Sequence, residues 1–143
     1  MRELYKEFSE LVSDIGAEVG VSVRTQNVIA SSDRDARQIA NMIIATCEDL
    51  IQRFPWRRRI GDDPWVLKQD GTYTYNLQDD TDTPMFDSRL IIHGGKWRYL
   101  YAKGLTYGET FRVYEKRIND FAYFYNGTDV IIDTNNTDAA TIS

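Results

Sequence analysis

The sequence predicts a mostly α-helical fold: a four-helix core, a small antiparallel β-hairpin element and an extended C-terminal arm. Three observations predict it. Apolar residues recur at helical spacing in four long stretches. The period drops to two between the second and third of them, around an Asp-Gly pair. A polar tail with no apolar stripe of its own follows the fourth.

The first helix is expected over residues 2–19, where Leu4, Phe8, Leu11, Val12 and Ile15 share a face and Gly16 and Gly20 weaken the end. The second has Ser32 as N-cap, Asp33 and Asp35 in its first turn, and a stripe from Ala36 through Ile39, Ile43, Cys47 and Leu50 to Phe54. Pro55 stops it, because the residue before a proline is pushed out of the α region. At about 1.5 Å per residue this helix spans about 30 Å and forms the spine of the domain.

After Pro55, "WRRRI" and "WVLK" read as short strand pieces, and "KQDGTYTYNL" as a hairpin turning at Asp70-Gly71. Tyr73, Tyr75 and Leu77 then fall on one face. "QDDTDTP" is an acidic loop, and Pro84 opens the next helix. In "MFDSRLIIHGGKWRYLYAKGL", the spacing of Phe86, Leu90, His93, Trp97 and Leu100 favours a helix over a strand–turn–strand. Gly94 and Gly95 would let a neighbour approach closely, and Gly104 would cap the end in the left-handed conformation. Tyr107, Phe111, Tyr114, Ile118, Phe121 and Tyr125 stripe the last helix, which Asn126-Gly127 closes. "TDVIIDT" is expected as a short strand. The division is residues 1–127, with a β insertion at about 56–78, and an arm over 128–143.

Composition narrows the chemistry. A chain of 143 residues fits one domain. Its net charge of −5 works against non-specific nucleic-acid binding, which runs on phosphate neutralisation. One cysteine, Cys47, excludes an internal disulfide and a cysteine-based zinc cage. One histidine, His93, argues against histidine-rich metal chemistry, and its apolar stripe suggests a core position. There is no apolar run of membrane-spanning length and no signal-peptide core, so the expected compartment is a reducing cytoplasm, with no membrane partner. Neither "QDDTDTP" nor "DTNNTD" has the glycine and terminal glutamate of a calcium loop. No phosphate-binding, nucleophile-elbow or zinc-protease motif occurs, so no catalytic residue, cofactor or metal is assigned. The run Arg57-Arg58-Arg59 reads as a solvated or interface patch rather than a DNA reader.

Residues 88–118, "SRLIIHGGKWRYLYAKGLTYGETFRVYEKRI", resemble a stretch of the head-to-tail adaptor proteins of short-tailed bacteriophages. The pattern is Lys96-Trp97-Arg98, Ala102-Lys103-Gly104-Leu105, Tyr107, Phe111 and Tyr114-Glu115, and the order of upstream elements extends the resemblance over residues 5–125. It implies a structural virion protein, not an enzyme. Such proteins form a ring, usually a dodecamer, joining the portal protein to a downstream tail or nozzle protein in the virion neck, with double-stranded DNA passing through the lumen. Trp97, Tyr107, Phe111 and Tyr114 would then be core helix contacts. Val130, Ile131, Ile132 and Ile142 would form an arm docking on the portal or a neighbour. Arg57, Arg58 and Arg59 would face Asp79, Asp80 or Asp82 of the next subunit. Two readings compete: a tail-associated cell-wall glycosidase, which needs two facing carboxylates, and a small nucleic-acid-binding helical module, which needs a contiguous basic face.

Overall fold

The computed structural model of the protein describes residues 4–60 and 63–133. Their α-helices are α1 (Phe8–Val19), α2 (Arg34–Gln52), α3 (Phe54–Ile60), α4 (Ser88–Ala102) and α5 (Gly108–Asp133). Three two-residue strands, β1 (Val66–Leu67), β2 (Tyr73–Thr74) and β3 (Thr83–Pro84), form an antiparallel sheet in the order β2-β1-β3. The mostly α class with a small β element is therefore the observed one.

Helix α4 is the central element and packs against α1, α2 and α5. Its two glycines explain how. A Cβ on Gly94 would collide with the Thr46 side chain of α2 and lie 2.8 Å from the Tyr114 ring of α5. A Cβ on Gly95 would lie 2.5 Å from Ile15 Cδ1 of α1. Glycine at both positions brings three helices onto one backbone, as the spacing predicts. Phe8, Leu11 and Ile15 from α1, Ile39, Ile43 and Leu50 from α2, Leu90 and Ile91 from α4 and Tyr114 from α5 are fully buried around this contact. Gly104, with φ of 73°, ends α4 in the left-handed conformation as expected.

Several boundaries differ from the sequence reading. α1 begins at Phe8, because the Phe8 and Ser9 amides donate to the Asp82 and Asp80 carbonyls (2.8 and 3.1 Å) and carry the preceding residues off the helix axis. α2 is capped by Asp33 rather than Ser32; the Asp33 carboxylate accepts from the Asp35 and Ala36 amides. α2 ends before Pro55, at an extended Arg53, and "WRRRI" is not a strand. Pro55 sits in the first turn of α3, where its missing N–H and fixed φ are tolerated. The Arg57 amide donates to Arg53 O at 2.9 Å, and buried Trp56 and half-buried Ile60, four apart, face the core. Arg57, Arg58 and Arg59 therefore lie on a helix rather than on a strand.

The Asp70-Gly71 hairpin is present: Val66 pairs with Thr74 and Leu67 with Tyr73, and Gly71 has a φ of 91°. Its face is not uniform, since Tyr73 and Tyr75 are exposed and only Leu77 is buried. Pro84 does not open α4. It pairs with Val66 on edge strand β3, where the absence of an N–H is harmless, and Asp87 caps α4 three residues later. The sheet thus spans residues 66–84 rather than 56–78. Helix α5 runs through Asn126-Gly127 to Asp133, so "TDVIIDT" is not a strand up to that point. Glycine costs a helix interior about 1 kcal/mol but stops it only where the backbone turns left-handed. Val130, Ile131 and Ile132 lie on this helix; their side chains, those of Arg58 and Arg59, and all of residues 134–143 including Ile142 lie outside the described part of the chain. No helix among the described residues is long and apolar enough to cross a membrane.

Candidate functional site

The residues expected as core helix contacts meet where α4 turns into α5. Trp97 stacks edge-on to Phe111 (ring centroids 4.9 Å apart) and lies 5.9 Å from Tyr107 and 6.5 Å from Tyr114. Tyr101 meets Tyr107 at 5.1 Å. Only Tyr114 is fully buried. Tyr101 is 62% exposed, Leu105 54% and Phe111 36%, so the inner half of the cluster is core and the outer half is surface. Aromatic contacts of this geometry add about 1 kcal/mol each beyond area burial, so the exposed rings are held in place.

A polar network clamps the inner half. Arg98 stacks over Trp97 and Tyr114, 4.7 and 5.5 Å from their ring centres, and donates to Thr46 Oγ1 (3.1 Å) and Gly94 O (3.3 Å). Tyr114 Oη donates to Asp49 Oδ2 at 2.8 Å. Burial first, and this bond second, push the phenol above its ordinary range, so it stays a neutral donor. Arg53 grips Glu115 with both terminal nitrogens, at 3.0 and 2.7 Å, and reaches Asp49 at 3.4 Å. The network ties α2, α4 and α5 together. Tyr114 was legible as a stripe residue, and Arg98 and Glu115 only as members of the quoted motif; Asp49 and Arg53 carried no signal beyond their i, i+4 spacing. Asp49 and Glu115 share Arg53 as counterion.

The acidic loop is largely spent within the chain. Asp82 is fully buried: Lys68 Nζ lies 2.9 Å from Oδ1 and 3.0 Å from Oδ2, and Oδ2 also accepts from the Gln78 and Asp79 amides. It is therefore not available to a neighbouring subunit's arginine. Asp80 accepts from the Asn27 and Val28 amides (2.5 and 2.9 Å) and holds Asn27 at a left-handed φ of 51°. Asp79 pairs with Lys68 at 2.9 Å, but its side chain is 67% exposed. Arg57 is exposed on α3. The structure brings none of the three aspartates to Arg57 within one chain. Among the described residues no group of histidine, cysteine and carboxylate side chains is placed to hold a metal ion.

Two further elements complete the surface. Trp56, which follows Pro55 on α3, is buried against Phe121 (5.2 Å) and Phe86 (6.2 Å), beside a cleft of about 360 Å³ that Trp65, Tyr73 and Leu4 also line. His93 is half-buried rather than in the core. Burial first, then the Arg117 and Arg89 charges, hold its imidazole below the ordinary value. Folding therefore favours neutral His93. This part of the stability is fully present above about pH 6.5 and is lost as pH falls through the depressed folded value. The melting temperature of the wild type should fall between pH 6.5 and 5 more steeply than that of His93→Gln; parallel curves would remove His93 from the acid response.

Set against protein-family models, curated proteins and solved structures, the chain has no significant match in any of the three comparisons.

Proposed function

We propose that this chain is a structural virion protein of the head-to-tail adaptor type. Copies of it form a ring, a dodecamer by resemblance, that joins the portal protein to the downstream tail or nozzle protein in the virion neck. One observation carries this reading. The motif residues on which the resemblance rests, Trp97, Arg98, Tyr107, Phe111, Tyr114 and Glu115, converge on a single structural unit at the α4–α5 junction. That unit is rigid inside and aromatic outside, which is what a surface committed to another protein requires. The net charge of −5 suits a wall past which double-stranded DNA moves without being held. The ten residues after Asp133 remain candidates, with Val130, Ile131 and Ile132, for docking on the portal or a neighbour.

The test mixes the purified protein with the portal protein of the same virus and measures the mass of the complex. The expected result is a discrete complex of one portal ring with about one copy of this chain per portal subunit. A portal whose mass is unchanged by excess protein overturns the reading.

A further inference from the structure

Among the described residues, two arginines of the bundle lack a carboxylate partner. Arg89 and His93 are one helical turn apart on α4 and so share a face. Arg117 is on α5, which packs on α4, and the charges of both arginines act on the His93 imidazole. The other charges facing His93 are Lys96 on α4 and Glu18 on α1, and these neutralise each other at 3.1 Å. Lys6 and Asp14, which line a shallow cleft with Arg89 and Glu18, do the same at 2.7 Å. Among the described residues nothing pairs with the Arg89 or Arg117 side chain, and Arg117 Nε is buried without an acceptor. A chain with five more acids than bases thus presents a net positive spot of two arginines beside His93.

The same chain presents the complement elsewhere. Asp70 and Asp79 stand on the rim of one open cleft of about 400 Å³ at the β1–β2 turn. Both are exposed, and a single cation, Lys68, lies between them and buried Asp82. The Asp70 carboxyl is held below its ordinary range, chiefly by hydrogen bonds from Thr72, so it is ionised at neutral pH.

We infer that Arg89 and Arg117 of one copy receive the Asp70–Asp79 rim of a second copy. The contact is head-to-tail, each copy using one surface as donor and the other as acceptor, and a contact of this kind closes into a ring or continues as a filament. This rests on the adaptor reading and names the subunit interface within it. It replaces an interface through Asp80 and Asp82, whose carboxylates are occupied. DNA phosphate is the less favoured occupant, because two arginines release few counterions and the rest of the chain is acidic.

A charge swap in the full-length protein tests the assignment. One variant carries Arg89→Glu and Arg117→Glu; the other carries Asp70→Lys and Asp79→Lys. Self-association of the wild type in low salt is followed by sedimentation, with the resonance of the single histidine as local reporter. Each variant alone should associate at least tenfold more weakly than the wild type. An equimolar mixture should recover association, because acidic spot then meets basic rim. The His93 titration midpoint should rise on association of the wild type. The inference is overturned if the wild type stays monomeric at millimolar concentration, if the variants associate like the wild type, if the mixture is not rescued, or if only a DNA duplex moves the His93 resonance. Variants that still assemble on the portal sink this interface and spare the adaptor reading. A successful swap in a protein that ignores the portal does the reverse.

Discussion

Gly94→Val is expected to destabilise the protein by about 3 kcal/mol, at the upper end of the usual cost of overpacking. The added atoms meet groups that are not free to move. Thr46 Oγ1 donates to Met42 O at 2.8 Å and accepts from Arg98, and the Tyr114 ring is fully buried with its hydroxyl fixed on Asp49. The helix-propensity gain over glycine is under about 1 kcal/mol and does not offset this. A fall of roughly 10 °C in melting temperature should follow for a chain of this size. Gly108→Ala serves as the control. A Cβ there meets nothing within 4 Å, and the position opens α5, so its melting temperature should match or exceed the wild type's. Equal effects from the two substitutions would mean that α4 is not closely approached.

Asp82→Ala should cost about 3 kcal/mol, because the Gln78 and Asp79 amides and the Lys68 ammonium all lose one buried acceptor at once. The loop 78–82 also supplies the carbonyls that receive the first amides of α1. Loosening it should therefore expose α1 as well as the sheet. Hydrogen exchange resolves this: faster exchange at Phe8 and Ser9 in Asp82→Ala than in the wild type is the expected result. In Asp79→Ala, where the lost carboxylate is mostly solvated, the urea midpoint should hardly move. If Asp82→Ala is as mild as Asp79→Ala, the buried carboxylate does not organise this corner.

The four long helices were legible because each carries its own period, and the glycine pair of α4 was legible as a point of close approach. Their misplaced ends have local causes. α1 loses its first turn to carbonyls some seventy residues away in sequence, a contact no periodicity announces. α3 is seven residues long with three successive arginines, so it offers no period at all; only the Trp56–Ile60 pair marks its inner face. The acidic loop misled for a related reason. Asp79, Asp80 and Asp82 look equivalent in a row, yet one is solvated, one holds a left-handed backbone and one is buried. Which does which depends on Lys68 and Asn27, and so on the tertiary fold. The network around Asp49 joins residues up to 65 positions apart and was out of reach for the same reason. The aromatic members of that site were found because aromatic stripes follow helix geometry; its charged members follow only each other.

The glycines of α4 have a mechanical consequence. Where Thr46 and Ile15 press directly on a helix backbone, no layer of long side chains is present to yield by switching rotamers. A push on α5 or α2 is then handed to α4, and from there to α1, as displacement of a single stiff block.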